Sequence, residues 1–303
     1  MMEPTIHKFG DNDLQKVLVW VPPERSPESL FWIVFIHGGA WRDPMITACN
    51  FADPVVSKLL SNPTRDVTPP GKNKTLAIAS LSYRLSPHPS CPQDPDASPR
   101  DAKHPDHLDD VCAGIDVLRR VYGLSNSDNY VLMGHSCGAT LAFQAVKRHV
   151  DAGLPAPRAL IGLAGIYDIK ALVRNHSTGP YADVYESFIR GAFGDDEKVR
   201  IEASPSHFGS HISLRSPCTV LLVVADGDEL VEPEQRMTMR ATLLGIGEGL
   251  ELRSPVTSHG NWRYSEISVP GGHDEMWEKG EIMVSVVERL WKILPGEDGE
   301  ARV

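Results

Sequence analysis

Short runs of β-branched and apolar residues alternate along this chain with longer stretches of helical periodicity, and that alternation restricts the fold more than any other feature. Val17 to Val21, Phe31 to Ile36, Thr75 to Ser82, Tyr130 to Gly134, Ala159 to Leu163, Thr219 to Ala225 and Tyr264 to Val269 read as strands. Several are apolar without a break, the pattern of strands buried on both faces of a largely parallel sheet. Helices are expected near 49–61, 106–122, 137–150, 233–245 and 275–293. In the last of these, Met276, Trp277, Met283, Val284, Val287, Leu290, Trp291 and Leu294 recur at helical spacing. The alternation predicts an α/β architecture, a mostly parallel sheet flanked by helices.

The 303 residues lie near the upper limit for one hydrophobic core and read as one domain, 1–303. Two segments break the rhythm. Nine of the 24 prolines fall between Ser61 and His107, which marks surface insertions at about 61–73 and 88–104. The stretch from 166 to 217, rich in aromatics and short helical patterns, is expected to form a cap between two sheet strands.

Thirty basic against forty acidic side chains give a formal charge of -10, so no general field attracts phosphate backbones and nucleic acid is not an expected partner. The start, MMEPTIHKFGDNDLQ, has no basic region followed by an apolar core, and the longest apolar runs fall far short of the ~20 residues of a membrane helix. A soluble, cytoplasmic protein without a membrane partner is expected. Five cysteines with no C-x-x-C pair argue against a disulfide framework or a zinc ribbon. Oligomeric state is not legible, and a homodimer stays open.

The strongest local signal is Tyr130 to Ala139, a strand running into Gly134-His135-Ser136-Cys137-Gly138 and then a helix. In that context G-x-S-x-G holds its serine on a sharp turn above the sheet edge, and Ser136 reads as a nucleophile. A serine hydroxyl needs a base, and the base needs an orienting carboxylate. The strand ending at Ala225 runs into Asp226-Gly227-Asp228, and the strand ending near Val269 runs into Gly271-Gly272-His273. Both follow Ser136 in the order Ser, Asp, His, at strand ends where open α/β sheets bind ligands. Asp226 with Gly227 reads as an ordinary turn, so Asp228 is the expected acid and His273 the base. Phe31 to Ile36 leads into His37-Gly38-Gly39-Ala40-Trp41, and glycines directly after a strand let backbone N–H groups face a pocket. Gly38, Gly39 and the N–H of Cys137 are the expected oxyanion hole. The Cys137 thiol itself reads as structural. His104 and His107 lack the spacing of a helical metal site, and Asp109 and Asp110 read as first-turn acids.

Taken together, H-G-G-x-W at 37–41, SYRLSP at 82–87, HLDDV at 107–111, GHSCGA at 134–139, GIYD at 165–168 and GGHDEMW at 271–277 resemble the kynurenine formamidases, in particular the fungal type, of the α/β-hydrolase superfamily. The resemblance spans about residues 15 to 293 and implies an α/β-hydrolase fold with Ser136, Asp228 and His273 as triad. It implies hydrolysis of N-formyl-L-kynurenine to L-kynurenine and formate through a formyl-enzyme, with a small aryl formamide as the partner molecule and no metal or organic cofactor. His37, Trp41 and Tyr167 are expected at the substrate pocket, and Trp41 with the cap segment is expected to carry formamide selectivity. A carboxylesterase of short acyl or aryl esters would use the same machinery. A non-catalytic ligand-binding scaffold would not need to keep the triad.

Overall fold

A computed structural model describes residues 2–23, 26–61, 68–71, 73–124, 129–208, 218–245, 256–259 and 261–294. The strands are β1 (Thr5–Lys8), β2 (Lys16–Trp20), β3 (Leu30–Ile36), β4 (Thr75–Leu81), β5 (Tyr130–His135), β6 (Ala159–Leu163), β7 (Cys218–Ala225), β8 (Thr257–His259) and β9 (Trp262–Val269). They form one sheet in the order β1-β2-β4-β3-β5-β6-β7-β9-β8. The six strands from β4 to β9 in that order are parallel, while β1, β2 and β8 pair antiparallel at the edges.

The helices are α1 (Ala48–Leu59), α2 (Asp106–Tyr122), α3 (Cys137–Asp151), α4 (Ile169–Asn175), α5 (Ala182–Phe193), α6 (Glu197–Ala203), α7 (Pro233–Leu244), α8 (Glu275–Glu278) and α9 (Glu281–Ile293). Strand β3 shows why the central runs are unbroken in sequence. Trp32, Val34 and Ile36 enter the core shared with α2, α3 and α5, and Phe31, Ile33 and Phe35 enter the core shared with α1 and α9. Successive side chains point to opposite faces, and here both faces are covered.

Every predicted strand and helix exists, with three differences. β1 and β8 were not expected: Thr5–Lys8 is largely exposed and carries no apolar alternation, so it is a strand only because β2 pairs with it. The single helix expected over 275–293 is two helices, α8 and α9, broken at Gly280. That glycine has φ +73, outside the helical region, and a Cβ there would lie 2.7 Å from the Pro54 backbone in α1. Asp110 does not serve as a solvated first-turn acid. It is buried and grips the Arg84 guanidinium through Nε at 2.8 Å and Nη2 at 2.9 Å, joining the SYRLSP and HLDDV segments. Ser86 and His107 join the same two segments, Oγ to Nε2 at 3.0 Å.

The 61–73 insertion falls mostly outside the described residues, whereas 88–104 runs without regular helix or strand. Of the 166–217 segment, the part to 208 forms α4, α5, α6 and a short turn of helix at Pro205–His207, and 209–217 lies outside the described residues. Among the described residues no helix is long and apolar enough to cross a membrane.

Candidate active site

The ends of β3, β5, β7 and β9 lie on one edge of the sheet, and each delivers one part of the site. Strand β5 turns into α3 at Ser136, whose φ of 53° and ψ of -121° belong to a region that side chains rarely occupy. Such a residue costs on the order of 1–3 kcal/mol and persists only when its surroundings over-determine it. Here they do. The Ser136 N–H donates to the Leu163 carbonyl at 2.8 Å, and its own carbonyl accepts from Ala139 at 3.0 Å and Ile166 at 3.3 Å. A Cβ on Gly134 would lie 2.2 Å from the Gly138 carbonyl oxygen, and one on Gly138 would lie 2.3 Å from that of Ile36. The two glycines of G-x-S-x-G therefore let helix, elbow and neighbouring strand converge. Cys137 follows as the first helical residue, so its N–H has no place in the helix's own ladder.

The loops after β7 and β9 bring Asp228 to His273. Both carboxylate oxygens stand 3.0 Å from His273 Nδ1, and both side chains are more than nine-tenths buried. Asp228 Oδ1 also accepts the N–H groups of Leu230 at 3.0 Å and Val231 at 2.9 Å, which fixes the carboxylate before it meets the ring. Asp226 faces away from the histidine, exposed, and accepts from the Ser268 hydroxyl. The His135 ring lies against His273 with centroids 4.6 Å apart and donates from Nε2 to the His273 carbonyl at 3.1 Å. Burial, reinforced by the neighbouring His273, holds His135 well below the ordinary histidine range, so it stays neutral.

The loop after β3 carries three consecutive positive φ values, 98° at Gly39, 50° at Ala40 and 58° at Trp41. Its hold is tertiary. The Trp41 N–H donates to Cys137 Sγ at 3.3 Å, the Trp41 carbonyl accepts from Ser86 at 2.9 Å, and the Tyr83 hydroxyl donates towards the carbonyls of His37 and Gly38 at 3.0 and 3.1 Å. Tyr83 also stacks on His37, with centroids 4.5 Å apart. Burial pushes the Cys137 thiol up to about 11 and the His37 imidazole down to about 4, so at neutral pH both are uncharged members of this packing. The SYRLSP segment, a sequence signal without an evident role, thus braces the loop through Tyr83.

Ser136, His273 and Gly39 open into one cavity of about 680 Å³, whose other walls include Ala40, Arg42, Asp43, Ile166, Tyr185, Phe188, Glu229 and Leu230. That volume lies within the ~300–1,000 Å³ of small-molecule sites. At its mouth Tyr181, Val184 and Leu230 are exposed apolar side chains. None of the three residues expected in the pocket lines it. Trp41 is fully buried behind the wall, edge-on to Phe193 at 5.0 Å and tilted on Phe188 at 6.3 Å. His37 borders a separate cavity with Tyr83 and Leu85, and Tyr167 borders a third beside Gln235 and Arg236. Two consecutive positive φ values turn the Trp41 ring inward, and positive φ at non-glycine residues has no sequence signature. Arg42 and Glu229 reach the cavity unannounced; their sole signal is adjacency to the H-G-G-x-W and D-G-D motifs.

Among the described residues one trio, His135, His273 and Asp274, brings potential ligand atoms within 4.8 Å of one another. Its atoms are largely committed: His135 Nε2 to a carbonyl, His273 Nδ1 to Asp228, and Asp274 Oδ1 to the Trp277 indole N–H at 3.0 Å. We assign it no metal.

No protein-family model matches the chain. It is 35% identical over 299 residues to the kynurenine formamidase-like hydrolase fscH of Fusarium equiseti, covering 94% of this chain and 92% of that protein. It is 32% identical over 304 residues to the kynurenine formamidase of Meyerozyma guilliermondii, covering 98% and 97%, and 33% identical over 268 residues to the kynurenine formamidase avaC of Aspergillus versicolor, covering 83% and 85%. Among solved structures, an arylesterase superposes with a TM-score of 0.63 at 17% identity over 96% of this chain and 82% of its own. Carboxyl esterase 2 of Tuber melanosporum superposes with 0.63 at 16% identity over 95% and 84%. Those two likenesses establish the α/β-hydrolase fold.

Proposed function

Because this chain belongs to the kynurenine formamidase family, we propose that it hydrolyses N-formyl-L-kynurenine to L-kynurenine and formate. The observation that carries this reading is the Asp228–His273 couple, with His273 and Ser136 lining one cavity that has aromatic walls. Ser136 Oγ attacks the formyl carbon while His273 Nε2 takes its proton, and Asp228 holds the Nδ1–H and stabilises the imidazolium. The N–H groups of Gly38, Gly39 and Cys137 receive the oxyanion. His273 returns the proton to the aryl nitrogen as the carbon–nitrogen bond breaks, and L-kynurenine leaves. Water, deprotonated by the same ring, then attacks the formyl-serine, and formate and free Ser136 result. Tyr185 and Phe188 offer the surfaces on which the aryl ring packs, and the exposed Tyr181 extends them at the mouth.

The test is the appearance of L-kynurenine from N-formyl-L-kynurenine with purified protein, set against hydrolysis of phenyl acetate and a short aliphatic ester. The expected kcat/KM is at least about tenfold higher on the formamide, the scale on which contacts to one ring discriminate. A higher value on the esters would move the carboxylesterase reading ahead.

Trp41 now has a different expected role. As a buried brace behind Phe188 it supports the loop for any substrate, so Trp41→Ala is expected to lower kcat/KM on N-formyl-L-kynurenine and on a short aliphatic ester by similar factors. It should also destabilise the fold by about 3–5 kcal/mol, the usual cost of truncating a large buried ring. Parallel kinetics and a thermal melt check both; a loss confined to the formamide would return Trp41 to the aryl pocket.

A further inference from the structure

The cavity beside Ser136 contains one arginine, Arg42, and its situation is unusual. The residue is only 7% exposed, yet among the described residues no carboxylate lies within 4.0 Å of its guanidinium. Its polar contact is neutral: Nη1 donates to Ser187 Oγ at 3.0 Å, and the guanidinium carbon stands 5.6 Å over the Phe188 ring. Burial draws its pKa down from the ordinary arginine value, with Asp43 opposing from further off. An arginine does not lose its proton in a protein, so the charge is carried at a cost. Elsewhere among the described residues the buried Arg200 is matched by Glu186, and the partly buried Arg84 by Asp110. A buried guanidinium facing a ligand cavity with no acidic partner is arranged to receive an anion, and its fork fits a carboxylate.

The rest of the cavity sharpens this. The other acidic and imidazole side chains on its walls are the carboxylates of Asp43, Glu229 and Asp274 and the rings of His88 and His273, and the whole chain carries a formal charge of -10. Arg42 is thus the one lysine or arginine among the residues that line the cavity, set among acidic groups. We propose that Arg42 is a specificity-determining residue that binds the carboxylate of the substrate, so that the cavity selects aryl substrates bearing a carboxylate on the side chain. The proposal deepens the formamidase reading and rests on it for the substrate's identity. An amino-acid side chain laid from the aryl ring towards Arg42 would present its ammonium group to the acidic groups of the same cavity.

The test compares 4-oxo-4-phenylbutanoate with its neutral amide, two ligands of one shape that carry no formamide. Calorimetric titration of the wild-type protein is expected to give about 10- to 100-fold tighter binding of the acid, the range of a charge-assisted pair over its neutral counterpart. In Arg42→Gln the ratio is expected to fall to near one, and Arg42→Lys, which keeps the charge but not the fork, is expected to retain part of it. Equal affinities in the wild-type protein, no measurable binding of the acid, or a ratio that survives in folded Arg42→Gln would overturn the proposal. The wild-type comparison needs no variant and stands even where Arg42→Gln does not fold. Acid selectivity that depends on Arg42, in a protein that leaves N-formyl-L-kynurenine intact, would support the carboxylate site and discard the formamidase reading. Formamidase activity with no preference for the acid would do the reverse.

Discussion

Replacing Ser136 with alanine is expected to lower kcat on N-formyl-L-kynurenine by about 10⁴ to 10⁶, the range seen when a triad nucleophile is removed elsewhere. The fold is expected to survive. The Ser136 side chain makes no capping hydrogen bond to α3, and the strained backbone is held by main-chain bonds to Leu163, Ala139 and Ile166 that alanine keeps. A melting temperature close to wild type, together with lost turnover, would separate chemistry from folding. A serine-directed phosphonate should label the wild-type protein at this residue and leave the variant unmodified. Activity near wild type in Ser136→Ala would remove Ser136 from the role of nucleophile.

The next largest effect is expected at Asp228, and it separates two acids that stand two positions apart. In Asp228→Asn the remaining oxygen can still accept from the N–H groups of Leu230 and Val231, so the loop is kept. The new amide N–H₂ then faces His273 Nδ1, which must present a lone pair and carry its proton on Nε2, the wrong tautomer for a base. The expected loss is up to about 10⁴ in kcat, with KM little changed. Asp226→Asn keeps an oxygen for the Ser268 hydroxyl and lies outside the couple, so it is expected to behave close to wild type. Steady-state kinetics on the two variants decide the matter: a large defect that followed Asp226 would mean that the couple operating in solution differs from the one described here.

By itself the sequence determined the parts whose causes are local. Unbroken apolar runs such as Phe31 to Ile36 announce strands covered on both faces, because period-two geometry sends alternate residues into two cores. The G-x-S-x-G elbow is legible for a similar reason at Gly134, which answers the Gly138 carbonyl within its own turn, whereas Gly138 answers the neighbouring strand at Ile36. The order Ser136, Asp228, His273 is legible because each residue follows a strand, and parallel strands end on one edge.

The tertiary structure decided whatever depends on which surface a loop meets. Both Asp226 and Asp228 follow β7; packing of the β9 loop brings His273 to the second and leaves the first to Ser268. Trp41 and Arg42 are neighbours in one motif, yet the positive φ at Ala40 and Trp41 sends the ring behind the cavity wall and leaves the guanidinium on it. At Gly280, whose φ of +73 leaves the helical region, the Pro54 backbone stands too close for any Cβ, a contact set by how α1 packs. Distances between loops of distant sequence position are set by how the layers stack, and no local propensity encodes them.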